Sequence, residues 1–299
     1  MDPTIDVVVV TYNSRHVVGD LLDSLPAALA GLPARTVVVD NGSTDGTRDL
    51  LAARTDCLLV PSDNDGYAAG VNRGVAALAG DGPILVLNPD VRLTPGSVRA
   101  LVDALDLPGT GVTAPRVLNE DGTAFPSLRR EPTIPRALGL SGQGRPWLSE
   151  TVTEPAAYET AHPVDWALGA ALLVSRECHD LLDGWDESFF LYSEETDLCL
   201  RARDRGLATR YVPTAVCTHI GGASGRSPRL NTMQVLNRVR LYRRRHGVAA
   251  SWVYFALALV AEARRTVSGN ADSRDAVISL LRPRRRPHEL ACAGSLLPS

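Results

Sequence analysis

Four short apolar runs, at residues 7–10, 36–39, 57–60 and 84–87, recur along the first hundred positions with helix-like stretches between them. The runs are Val-rich and lack a polar face, the pattern of strands buried on both sides in a parallel sheet. After the first run, Val17, Val18, Leu21, Leu22 and Leu25 fall at helical spacing. Residues 43–53, which open with turn and capping types, and residues 68–79 predict the next two helices. This alternation predicts an α/β fold, a mostly parallel Rossmann-like sheet flanked by helices.

Every run ends in a polar cluster: TYNS at 11–14, DNGS at 40–43, SDNDG at 62–66 and NPD at 88–90. In a doubly wound sheet these segments share one edge, outside the carboxyl ends of the strands, where such folds bind ligands. Any one cluster is ordinary turn chemistry. Four at the same edge predict one polar crevice. The last is the most informative, because Asn88, Pro89 and Asp90 interrupt two apolar runs with residue types that strand interiors disfavour. No GxGxxG follows the first run, which argues against a dinucleotide domain, and the Gly-rich basic signature of a sugar-nucleotide pyrophosphorylase is also missing.

Composition narrows the chemistry. With 44% hydrophobic and 22% charged residues among 299, the chain is a folded globular protein. Lysine is absent, so the 31 basic residues are all arginine, which excludes a Schiff-base, pyridoxal or phosphate-loop lysine. The five cysteines, Cys57, Cys178, Cys199, Cys217 and Cys292, are scattered and never spaced as CxxC, and the opening MDPTIDVVVVTYN carries no signal-peptide pattern. Both point to a reduced, cytoplasmic setting. The net charge of −3 hides a split: residues 1–200 hold 13 Arg against 29 acids, whereas residues 201–299 hold 18 Arg against 5. That asymmetry suggests an anionic partner for the C-terminal third, such as a membrane surface, a nucleic acid or a phosphorylated acceptor.

VVVVTYNS, VVVDNGSTDGT, NDGYAAGVNRG, LVLNPDV and GWDESFFLYSEETDLCLRARDRG, in this order and spacing, resemble the family 2 glycosyltransferases, in particular their rhamnosyltransferase-like branch, over residues 5–225. The resemblance implies a GT-A fold, a dTDP- or UDP-sugar donor, a divalent cation (Mg²⁺ or Mn²⁺) and inversion at the anomeric carbon. It implies a donor half at 1–118 and an acceptor half at 119–227, followed by a basic helical extension at 228–281 and a disordered tail at 282–299. It puts Thr11, Tyr12 and Asn13 beside the nucleoside and Asp40 with Asn41 at the nucleobase. Asn64, Gly66, Tyr67, Gly70 and Asn72 match the glycine-rich stretch near the donor. Asn88-Pro89-Asp90 takes the place of the family's DxD motif, with Asp90 holding the cation against the donor phosphates. Asn88 offers a carbonyl where many relatives have a carboxylate, so metal and donor should bind together. His219 matches a position near metal or diphosphate, and Arg226 one that supplies charge to the leaving diphosphate.

SEETDLCLRAR predicts a helix start, with Ser193 as N-cap and Glu194, Glu195 and Asp197 in the first turn. Acidic residues there favour the helix dipole, which accounts for one or two of the three. The resemblance makes Glu195 the base that takes the acceptor's proton, with Glu194 or Asp197 able to share the task and the helix N-terminus keeping the base ionised. It also places Trp166, Gly169 and Ala170 on the acceptor side, Trp166 either stacking on a sugar or filling the core. Residues 119–163 read as a long, weakly structured excursion of the kind that forms lids. Arg238, Arg240, Arg243, Arg244 and Arg245 precede an uncharged run of 15 residues, 247–261, shorter than the roughly 20 needed to span a bilayer. They suit a membrane-surface element at the inner face of the plasma membrane, a homodimer interface or a solvated face. The first expectation is an inverting transfer of L-rhamnose from dTDP to a polyprenyl-diphosphate-linked sugar in envelope polysaccharide synthesis. The alternatives are a soluble natural-product acceptor or an inactive nucleotide-sugar-binding protein; a nucleic-acid partner is not expected.

Overall fold

The computed structural model describes residues 2–221, 227–288 and 296. Its first half alternates as the apolar runs predict: β1 (Ile5–Thr11), α1 (Val18–Leu29), β2 (Ala34–Asn41), α2 (Thr47–Ala52), β3 (Leu58–Ser62), α3 (Tyr67–Leu78) and β4 (Ile84–Leu87). β5 (Val91–Leu93), α4 (Ser97–Leu105) and β6 (Thr110–Leu118) follow. β1 is buried along its whole length and pairs in parallel with both β2 and β4, so its Val-rich sequence meets apolar partners on both faces.

The second half contains β7 (Leu128–Arg129), α5 (Ile134–Ala137), β8 (His162–Val164), β9 (Trp166–Ala167), β10 (Ala171–Val174), α6 (Arg176–Leu181), α7 (Glu194–Asp204) and β11 (Ala208–His219). Among the described residues nine strands form the main sheet, in the order β3-β2-β1-β4-β10-β6-β11-β5, with β8 on β11. β10 runs antiparallel between β4 and β6. The residues just before it therefore lie beside the end of β4, where Asn88 N–H donates to the Ala170 carbonyl at 2.9 Å. β11 is antiparallel to β5, with His219 opposite Val91. One apolar cluster fills each side of the sheet, around Leu21, Leu87 and Leu101 on one and Val71, Trp185 and Tyr211 on the other.

The 119–163 excursion is packed down and is not a loose lid. Leu128, Leu148, Val152 and Tyr158 are buried, and the Tyr158 hydroxyl accepts from Leu128 N–H at 3.1 Å and donates to the Val152 carbonyl at 2.9 Å. Apolar burial and paired backbone groups hold such a segment without regular structure.

The chain closes with α8 (Pro228–Arg245), α9 (Val248–Val267) and α10 (Ala271–Leu281), which enclose a third apolar cluster around Met233, Leu236 and Tyr254. The arginines of α8 do not form a row facing outward to a lipid surface. Arg238 pairs with Glu150 at 2.7 Å, Arg245 with Asp204 at 2.9 Å, and Arg244 with Asp186; Arg240 donates to the Ser188 carbonyl at 3.1 Å. They clamp the helix to the preceding residues. Among the described residues no helix is long and apolar enough to cross a membrane. Within the expected tail, Pro283–Arg285 form a 3₁₀ turn and Arg286 is buried; 289–295 and 297–299 lie outside the described residues.

Candidate active site

The strand tips that carry the polar clusters are tied together by their own side chains. Asn13 accepts from Thr44 N–H at 2.8 Å and its own N–H donates to Ser43 Oγ at 2.8 Å. Asn41 Nδ2 donates to the Gly66 carbonyl at 2.9 Å, and Tyr67 N–H to the Phe190 carbonyl at 2.7 Å. Gly66 has a φ of 104°, and a Cβ there would stand 2.6 Å from the Phe190 carbonyl oxygen, so the turn requires glycine. Asn64 is exposed at this rim.

Several expected donor contacts prove to be internal. Thr11 is fully buried and donates to Asp40 at 3.2 Å. The Asp40 carboxylate is 0% exposed and also accepts from Ser43 N–H at 3.2 Å and from Arg48 at 3.2–3.3 Å. Asp40 is thus turned toward these protein donors. Tyr12 and Arg48, each about half exposed, line that end. Asn72 is spent on the loop after α6: it donates to the Trp185 carbonyl and to Glu187 at 2.9 Å and accepts from Trp185 N–H at 3.0 Å. Gly70 faces β1, where an added Cβ would meet Val10 at 2.8 Å; it allows close helix–sheet approach, not ligand contact.

At the end of β4, Asp90 is buried and its Oδ1 lies 3.2 Å from His219 Nε2. The β5–β11 pairing sets this distance, since it puts His219 opposite Val91, the residue after Asp90. Among the described residues no group of three or more His, Cys, Asp and Glu could hold a metal ion. The two side chains offer one hard oxygen and one imidazole nitrogen on the same side. This donor set fits a divalent cation whose other ligands come from substrate oxygens. Arg226 lies outside the described residues.

Opposite stands the start of α7. Ser193 occupies the N-cap position but makes no side-chain cap bond; its φ is 77° and that of Tyr192 is 68°. Left-handed backbone at two successive non-glycine residues costs energy, so packing must hold it. Asn237 of α8, fully buried, donates to the Leu191 carbonyl at 2.9 Å and to the Tyr192 carbonyl at 3.2 Å. Arg240 and Arg244 stack over Phe189 in the same loop, 5.4 and 4.8 Å from its centroid.

The three acids of this turn differ in surroundings. Asp197 is bound by Arg201 at 2.6 Å, and Arg201 also donates to the Leu182 and Gly184 carbonyls. Asp197 therefore anchors the helix and is not available as a base. Glu194 and Glu195 each keep one buried oxygen without a hydrogen-bond partner. Burial pushes the Glu194 carboxyl well above the usual range and the neighbouring Glu195 charge pushes it further. Burial also raises Glu195, but the N–H groups of Glu195, Thr196 and Gly169 and the Arg129 guanidinium draw it back. Glu195 is thus the member of the pair whose charged form has more protein partners, and burial outweighs the helix terminus expected to keep it at ordinary acidity. Gly169 lies against it, with an added Cβ 3.4 Å from Glu195 Cβ. Tyr67 joins the two sides: its hydroxyl is buried without a partner and is raised by burial and by the charges of Glu194, Glu195 and Asp90.

On the acceptor side, Trp166 is buried and its indole N–H donates to the Arg130 carbonyl at 3.0 Å. Ala170 is fully buried with its carbonyl bound by Asn88. Trp166 is wall and Ala170 is core, so neither presents a free face to a sugar. Arg129, opposite Trp166 in the β7–β9 pair, holds its guanidinium 5.8 Å from that ring. Sequence reasoning misses Arg129, as it misses Arg48 and Asn237. Nothing in their local pattern marks them; the pairing of distant segments brings Arg129 and Asn237 to the site, and Arg48 reaches Asp40 from eight residues on.

A carboxylate that can accept a proton and a carboxylate–imidazole pair that can hold a cation thus flank the buried hydroxyl of Tyr67, a layout suited to activating a hydroxyl opposite an anionic leaving group. The model of the family described as Glycosyl transferase family 2 matches residues 6–156. The N-acetylglucosaminyl-diphospho-decaprenol L-rhamnosyltransferase of Mycobacterium tuberculosis is 35% identical over 247 residues, covering 76% of this chain and 80% of its own. The mannosyltransferase PcManGT from Pyrobaculum calidifontis, in complex with GDP-Man and Mn²⁺, superposes with a TM-score of 0.56 at 18% identity, over 98% of this chain and 86% of that one. GalNAc-T7 with UDP, GalNAc and Mn²⁺ gives 0.60 at 16% identity over 80% of this chain; the match spans just under half, 47%, of GalNAc-T7.

Proposed function

The chain belongs to glycosyl transferase family 2, and from that premise we propose that this GT-A glycosyltransferase moves L-rhamnose from a dTDP-linked donor, with inversion, to a hydroxyl of a sugar carried on polyprenyl diphosphate. The observation that carries the mechanism is the Glu195 carboxylate, with a buried unpartnered oxygen, across Tyr67 from the Asp90–His219 pair. The rhamnosyl and lipid-diphosphate parts rest on the mycobacterial relative's name and its identity over most of both chains.

In this reading Asp90 and His219 would hold Mg²⁺ or Mn²⁺, which when bound supplies positive charge to the departing nucleoside diphosphate. Glu195 takes the proton from the acceptor hydroxyl as that oxygen attacks the anomeric carbon. Attack from the Glu195 side with departure toward Asp90 is a single displacement and inverts the centre. Gly169 leaves room for the acceptor beside Glu195, and Tyr12 and Arg48 contact the nucleoside in place of Asp40. The Tyr67 hydroxyl, too weak an acid to ionise in these surroundings, donates a hydrogen bond to the bound substrates.

The test offers radiolabelled dTDP-rhamnose and UDP-sugars to the enzyme with a short-chain polyprenyl-diphosphate N-acetylglucosamine and with a panel of soluble aglycones. Rhamnosylated lipid-linked product, with the anomeric configuration opposite to the donor's, is the expected result. Transfer confined to aglycones or to UDP-sugars would overturn the assignment, and donor binding without any product would make the chain a binding protein.

A further inference from the structure

The 20-residue helix α9 divides into two faces with unlike surroundings. Ser251, Tyr254, Ala261 and Glu262 are buried toward the rest of the protein. On the other side Val248, Trp252, Val253, Val260 and Val267 are between 46% and 89% exposed, and Ala256 lies exposed among them. At 100° per residue these six fall within one arc of the helix, and their stripe runs nearly its full length, about 30 Å. A helix on the surface of a globular protein ordinarily turns charged residues to water; this outward arc carries none between Val248 and Ala261. A contiguous apolar stripe of this kind marks an interaction surface.

Charge at the end of the neighbouring helix decides what covers the stripe. α10 runs back along α9 from the turn at 268–270, and its end packs near Tyr254 in the shared apolar cluster. Beyond exposed Leu281 come Arg282, Arg284 and Arg285, all exposed and, among the described residues, without an ion pair. The contrast with α8 is direct, since Arg238, Arg244 and Arg245 are consumed by Glu150, Asp186 and Asp204. Unpaired cations at the end of α10, the helix packed on α9, together with an uncharged stripe that holds a half-exposed tryptophan, complement an anionic lipid surface better than a second protein copy.

We infer that α9 lies in the interfacial plane of an anionic bilayer, with Trp252, Val253 and Val260 among the headgroups and Arg282, Arg284 and Arg285 on lipid phosphates. This deepens the proposed reading and rests on it in one respect: an acceptor that stays in the bilayer requires the enzyme to come to it. α8 bonds the catalytic loop on one side and packs on α9 and α10 on the other, so docking through α9 would fix the height of Glu195 above the lipid.

The experiment is flotation of the full chain with phosphatidylcholine vesicles, with and without phosphatidylglycerol and without any sugar acceptor. The wild type should float with the anionic vesicles and be released by salt. The Trp252→Glu/Val260→Glu variant should lose at least about tenfold in partition while keeping its melting temperature and its rate on a short-chain soluble acceptor. Replacing Arg282, Arg284 and Arg285 by Gln should abolish the preference for anionic vesicles. Failure of the wild type to float, or equal flotation of the Trp252→Glu/Val260→Glu variant, overturns the inference. So does a wild-type dimer that this variant dissolves without either protein floating, which would assign the face to a second copy. Flotation with no transfer to any lipid-linked acceptor would defeat the proposed function and leave the docking face standing.

Discussion

Glu194 and Glu195 are adjacent in sequence, yet Arg129 and three backbone N–H groups stabilise the charge of Glu195, whereas Glu194 has one backbone N–H and is repelled by the Glu195 charge. A buried carboxyl whose pKa is raised in the folded state leaves the protein progressively less stable as pH climbs above the unfolded value. Glu194→Gln removes that loss. Its melting temperature should match wild type near pH 4.5, the ordinary value for this group. Above that pH the variant should gain on wild type, by about 1.4 kcal/mol for each pH unit until the buried carboxyl ionises. Thermal melts across pH check this; a variant less stable at pH 7 would contradict it. Arg129 acts with the opposite sign on Glu195. Arg129→Gln should move the acid limb of the kcat/KM profile to higher pH and Arg129→Lys should restore it; an unmoved limb would remove Arg129 from the account. Asp90, His219 and Glu195 can be picked out in the sequence because each sits in a short motif. Thr11, Asp40, Asn72 and Asp197 have the right residue type at the right edge, but protein groups already bind them, from a distant segment for Asn72 and from one helical turn on for Asp197. Sequence shows the donor or acceptor and not whether it is free.

α7 begins on strained backbone at Tyr192 and Ser193 that its own sequence does not cap, and α8 supplies the brace. Asn237→Ala would leave two carbonyls short of a buried donor, costing about 1–3 kcal/mol. Because the loop it holds carries Glu195, kcat should fall several-fold while donor affinity changes little. Equal losses in both would mean general unfolding rather than a misplaced base, and steady-state kinetics beside donor titration separates the two. The motif LNRVRLYRRRHG reads as a basic face, yet Arg238, Arg244 and Arg245 are paired within the protein, because folding brings Glu150, Asp186 and Asp204 to them. In α9 the opposite holds: the uncharged run suggests burial or an interface, and the exposed stripe leaves half of it facing out.

Across the molecule, the acid-rich first two thirds and the arginine-rich remainder are partly complementary surfaces of one fold, so the charge split does not by itself call for an external anion. β1 to β4 are legible because local alternation and their polar tips describe a parallel sheet completely. The placement of β10 between β4 and β6, which sets Gly169 against Glu195 and Ala170 against Asn88, is not, because antiparallel insertion of a distant strand leaves no periodic trace. That insertion sets Glu195 and the Asp90–His219 pair around the Tyr67 hydroxyl, and the central claim is that they act there as base and cation ligands. Its most direct test is the Glu195→Gln enzyme, assayed for sugar transfer and, in the same preparation, for binding of dTDP-rhamnose with Mn²⁺. The prediction is a loss in turnover of at least about 10²-fold with donor affinity unchanged; turnover close to that of the wild type would contradict it.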